Sequence, residues 1–140
     1  MDVIRRNTDY AIRAMVFLAS SKGDGVVTAA EIAEKEAIPY ELVCKLLQRL
    51  KKKKIVQSIM GAKGGYTLRQ KPSEISILKV IEAIQGPVSL NRCLLNVKFC
   101  SRKRSCPVSK NLAKLQKTIN DYLKSVKLSK LAGIGEKNYD

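Results

Sequence analysis

The chain has 140 residues, 45% of them apolar, which is enough for one ordinary domain with a real core and an appended helix. It carries 27 Lys and Arg against 12 Asp and Glu, a formal charge of +15, so a polyanionic partner is expected, nucleic acid first and anionic membrane second. No apolar run is long enough to cross a bilayer, and Asp2, Arg5, Arg6 and Asp9 break up any signal-peptide pattern, so a cytoplasmic protein with no membrane segment is expected.

The spacing of Tyr10, Ala11, Ala14, Met15, Phe17 and Leu18 predicts a helix over 8–20, with Thr8 as its N-cap and Asp9 in its first turn. Gly23 and Gly25 then interrupt it. Thr28 and Glu31, three residues apart, match a capping box for a short helix over 29–36, with Ala30, Ile32 and Ala33 facing inward. Ala37 and Ile38 form a turn, and Pro39 opens a second helix over 39–52. Val43, Leu46, Leu47 and Leu50 fall on one face of that helix; Glu41, Lys45, Gln48, Arg49 and Lys52 fall on the other. Two helices joined by a tight turn, apolar behind and basic in front, are the helix-turn-helix pattern, although any amphipathic pair shares part of it.

The stretch IVQSIMGAKGGYTLRQKP reads as two short strands around a glycine-rich tip. A hairpin directly after a helix-turn-helix makes a winged helix, with Lys63 at the tip facing a phosphate or a minor groove. Aromatic residues make up only 5% of the chain and Trp is absent, so duplex DNA is favoured over single strands read by stacking. On the helical face, Gln48 suits adenine and Glu41 cytosine, while Lys45, Arg49 and Lys63 suit phosphates; Thr28, Tyr40 and Cys44 complete the expected DNA-binding set.

Residues 75–85 form a further predicted helix, stopped by Gly86 and Pro87. Pro107 opens a long helix reaching about residue 129, where Val108, Leu112, Leu115, Ile119, Tyr122 and Val126 repeat at alternating steps of four and three. Such a narrow heptad seam predicts a partner helix, the same element of a second subunit, with packing on its own domain as the competing reading. The tail from residue 131 has no periodicity.

Between the two helices lies CLLNVKFCSRKRSCP, where Cys93, Cys100 and Cys106 are separated by six and five residues. No close cysteine pair of the zinc type occurs, and the chain contains no His, so structural zinc is disfavoured. A reducing compartment argues against disulfides. Thiolates at wide spacing suit an iron–sulfur cluster, and the surrounding Arg92, Lys98, Arg102, Lys103 and Arg104 favour the thiolate form. Redox-reactive thiols, or thiols with no special role, remain alternatives on spacing alone. A fourth ligand would be needed, and Cys44 is the remaining thiol, though its place beside the DNA-facing surface makes it a poor candidate.

Taken together, TDYAIRAM, the helix-turn-helix, GAKGGYTL, ISILKVIEAIQG and the three-cysteine loop resemble the Rrf-type winged-helix regulators, the family of the IscR-like and NsrR-like iron–sulfur proteins. The likeness covers residues 1 to about 132. It implies a homodimer on a palindromic operator and a cluster held by Cys93, Cys100 and Cys106, with 4Fe–4S favoured and 2Fe–2S allowed. Some members take a fourth ligand from a His just after the third cysteine; Pro107, Val108, Ser109 and Lys110 stand there instead. NsrR-like members use an N-terminal Asp from the other subunit, and Asp9 occupies that position. The six-residue gap before Cys100 is slightly long for the family, some relatives carry Glu at the position of Cys44, and Gln85 replaces a commonly acidic residue.

The expected architecture is therefore mainly α with a small β wing: a winged helix-turn-helix domain over 1–72, a connecting helix and cysteine loop over 73–106, a dimerisation helix over 107–130, with 107–128 as the dimer contact, and a tail over 131–140. The resemblance implies a repressor switched by nitric oxide, redox or iron–sulfur status, with a cluster-free regulator of the same fold, answering to a metabolite or a partner protein, as the alternative. Enzymatic function is not expected, since no nucleophile has a recognisable base nearby. A membrane-surface role would need a Trp-, Phe- and Leu-rich face that is missing.

Overall fold

In a computed structural model, which describes residues 2–21, 25–91, 94 and 105–133, the first helix α1 runs Arg6–Ser20. It turns Ala11, Ala14, Met15 and Leu18 into the core. Thr8 is not its cap: the helix starts two residues earlier than expected, and Thr8 is fully buried inside it. The reason is a distant partner, since the Thr8 hydroxyl donates to Gln85 Oε1 at 2.7 Å.

Helix α2 (Ala29–Glu36) carries the expected capping box: Glu31 N–H donates to Thr28 Oγ1 at 3.1 Å, and Thr28 N–H to Glu31 Oε2 at 3.2 Å. Ala29 and Ile32 face the core; Ala30, expected inside, is exposed. Ala37 closes the helix in the left-handed conformation at φ 53°, which turns the chain sharply into α3 (Tyr40–Lys52). Pro39 is the residue before α3 rather than its first residue. As the periodicity predicts, Val43, Leu46, Leu47 and Leu50 are buried.

Strands β1 (Val56–Ile59) and β2 (Gly65–Leu68) pair antiparallel, with Val56 opposite Leu68 and Ser58 opposite Tyr66. The far edge of β2 bridges Val27, whose N–H donates to the Tyr66 carbonyl at 2.8 Å and whose carbonyl accepts from Tyr66 N–H at 2.7 Å. The tip requires glycine for lack of room: a Cβ on Gly64 would lie 2.1 Å from the Ile59 carbonyl oxygen.

A 3-10 turn at Pro72–Glu74 leads to α4 (Ile77–Gln85), capped by Ser76 and ended by Gly86. Helix α5 spans Pro107–Ser125, and a short α6 spans Leu128–Leu131. The long helix thus ends four residues earlier than expected. Val126 to Leu128 instead pair with residues 75–77: Ile77 N–H donates to the Val126 carbonyl and Leu128 N–H to the Ile75 carbonyl, both at 2.9 Å. Leu128 is fully buried among Met15, Leu47, Ile75 and the rest of one core that runs through α1 to α4. Residues 134–140 of the expected tail lie outside the described residues. Among the described residues no helix is long and apolar enough to cross a membrane. The architecture is a winged helix-turn-helix with a long C-terminal helix, as expected.

Candidate nucleic-acid interface and cysteine loop

The buried row of α3 sets what its opposite face can present. Tyr40 is 56% exposed, and Glu41, Lys45, Gln48 and Arg49 are exposed along the same helix. Lys51 to Lys54 continue the positive surface, and Lys63 is exposed at the wing tip. Few carboxylates offset this surface, so it holds a potential suited to phosphates. Thr28 differs from the others: its side chain is committed to the cap of α2, which leaves its hydroxyl proton as the group it could offer a ligand.

Two contacts organise the polar face. Cys44 is half-buried, one turn from Tyr40. The Tyr40 hydroxyl is held above its ordinary pKa of 10.0, first by hydrogen bonding with the Cys44 side chain and then by the charge Cys44 carries as a thiolate. Further along, Gln48 Nε2 donates to the Tyr66 hydroxyl at 3.0 Å, joining α3 to the wing.

Asp9 lies exposed in the first turn of α1. Cys106 is half-buried and immediately precedes α5, with Pro107 as the first helical residue. Cys93 and Cys100 lie outside the described residues. Among the described residues no group of three or more Cys, Asp or Glu gathers as a metal site.

Gln85 is the residue whose role the sequence left unread. Its Oε1 accepts from Arg5 N–H at 3.0 Å as well as from Thr8, and its Nε2 donates to the Val3 carbonyl at 2.9 Å. It therefore caps α1 from the far end of α4, and an acid at this position would have no proton for Val3. The partners are 77 to 82 residues away, so no local pattern could reveal them. We expect Gln85→Ala to cost about 1–3 kcal/mol, because the buried Thr8 hydroxyl loses its acceptor. Gln85→Glu should cost less than that in denaturant titrations; equal stability of all three proteins would refute the latch.

Comparison with known proteins places these features. The model of the Rrf2 family, described as iron-dependent transcriptional regulators, matches residues 4–133. The HTH-type transcriptional regulator IscR of Pectobacterium atrosepticum is 31% identical over 122 residues, covering 87% of this chain and 74% of that protein. Among solved structures, T. potens IscR superposes with a TM-score of 0.74 at 26% identity, over 95% of this chain and 88% of that one. The oxidised form of Staphylococcus aureus CymR superposes with a TM-score of 0.75 at 26% identity, over 99% of this chain and all (100%) of that one. These relatives are transcriptional regulators, not enzymes, in line with the expectation of no enzymatic function.

Proposed function

The chain belongs to the Rrf2 family of transcriptional regulators, and on that premise we propose that it is a cytoplasmic, homodimeric repressor whose operator affinity is set by an iron–sulfur cluster. The observation that carries the DNA half is the outward face of α3, where Tyr40, Glu41, Cys44, Lys45 and Gln48 lie, Gln48 touching the wing that bears Lys63, while Arg49 stands at the flank with its guanidinium donating to the Ile84 carbonyl at 3.5 Å. Thr28, at the start of α2, adds a backbone contact in the same reading. Gln48 and Glu41 read bases, and the cations hold phosphates. In this reading residues 1–72 form the reading domain, 73–106 the connector and cysteine loop, and the helix from 107 the dimer contact. A palindromic operator follows from two-fold symmetry.

The donor set fits a cluster. The chain has four thiols and no His, and soft thiolates select iron–sulfur chemistry. Cys106 stands at the N-terminal end of the 19-residue helix α5, beside Pro107. Cys93, Cys100 and Cys106 would be the protein's sulfur ligands, and Asp9 of the second subunit the fourth ligand. A bound cluster supplies redox and ligand-exchange chemistry responsive to nitric oxide, oxygen or iron supply. The protein's own part is mechanical: α1, which carries Asp9, packs on α3 and α4, so a shift of its first turn reaches the recognition helix.

Protein purified without air is expected to contain iron and acid-labile sulfide, and to lose operator affinity about 5- to 150-fold after anaerobic nitric oxide, a usual range for coupled sites. Iron-free protein that still binds its operator would establish the cluster-free alternative. Equal affinity before and after treatment would defeat the switch.

A further inference from the structure

We propose that Tyr66 is a positioning residue for base readout: its hydroxyl, hydrogen-bonded to the Gln48 carboxamide, holds that side chain in place to read adenine. The inference rests on the DNA-binding reading of α3. Gln48 is exposed near the C-terminal end of α3, on the face opposite Val43, Leu46, Leu47 and Leu50. A free carboxamide there turns easily about its last torsion, which exchanges donor for acceptor and blurs the preference for any base. Tyr66 restrains the side chain, its hydroxyl accepting one of the two Nε2 protons at 3.0 Å. One N–H and the carbonyl oxygen are left, the pair that matches N7 and N6 of adenine in the major groove.

The tyrosine can fix this orientation because its own backbone is held on two sides. It pairs with Ser58 across the hairpin and exchanges two hydrogen bonds, of 2.7 and 2.8 Å, with Val27. Gly65 beside it permits the approach, since a Cβ there would stand 2.7 Å from the Val27 carbonyl oxygen. The wing thereby contributes to sequence choice through Gln48, besides any backbone contact made by Lys63.

The test uses the full-length dimer and an operator selected from random duplexes. Gln48→Ala first locates the A·T pair whose replacement by G·C no longer matters. At that pair the wild type is expected to discriminate about 5- to 150-fold, and Tyr66→Phe to fall to within about threefold of no discrimination. Tyr66→Phe should keep the wild-type melting temperature, non-specific affinity and salt dependence, since ring and ladder remain. In the Gln48→Ala background it should change nothing further. Retained discrimination in Tyr66→Phe overturns the proposal, as does a loss spread equally over specific and random duplexes. A Gln48→Ala protein with unaltered base preferences also overturns it. A wild type that selects no duplex at all removes the DNA-binding reading itself.

Discussion

Leu115→Arg is expected to convert a dimer into a folded monomer and to weaken palindromic operator binding about 100- to 10,000-fold, the factor gained when two reading domains are tethered. Helix α5 carries two apolar rows, and the structure separates them. Leu112 and Ile119 are half-buried and Val126 is buried on the protein's own body. Val108, Leu115 and Tyr122, each seven residues apart, are 61%, 49% and 64% exposed. An apolar row at heptad spacing suits the seam of a helix pair, and its exposure within a single chain supports the proposed dimer. Leu115 is its middle member. Arginine there would set two guanidinium groups against each other near the two-fold axis, while the monomer, already exposing this side chain, should change by no more than about 0.5 kcal/mol. Sedimentation and operator titration check both halves. A dimer that survives the substitution at micromolar concentration, with unchanged affinity, would place the subunit contact elsewhere.

What could be read from the sequence follows the range of the interactions. The capping box of α2, the buried row of α3 and the glycine-tipped hairpin depend on neighbours within a few residues, and each stands as expected. Thr8 has the chemistry of an N-cap and a helix start beside it, yet Gln85 takes its hydroxyl and the helix begins at Arg6. The heptad pattern of α5 was legible, but its apolar residues serve two different surfaces, and periodicity cannot divide them. The hydrogen bond from Gln48 to Tyr66 joins two positions that sequence reasoning treated as a base reader and a strand residue. Long-range pairing between polar side chains leaves no periodic trace, so the contacts that organise the site are the ones hidden from pattern.

The end of α5 yields the largest expected effect on stability. Leu128→Ala should cost about 2–5 kcal/mol, the range for emptying a well-packed leucine site. The side chain is 0% exposed and belongs to the same core as Met15, Leu47 and Ile75. Its backbone N–H is bound to Ile75, and Ile77 returns a hydrogen bond to Val126, so the cavity would open beneath the bridge that joins α5 to α4. Total stability of a domain this size is about 5–15 kcal/mol, and a loss near 3 kcal/mol should lower the melting temperature by roughly 10 °C. Leu131→Ala provides the comparison within α6, because Leu131 is 39% exposed and should shift it little. If both substitutions act alike, Leu128 is not a core residue and α5 is an arm free of the reading domain. If they differ as expected, the bridge fixes the proposed dimer contact to the base of α4, whose other end holds α1 through Gln85. The angle between two reading domains would then be set by three packed elements in series, and a change at either the subunit seam or the first turn of α1 would move the recognition helices together.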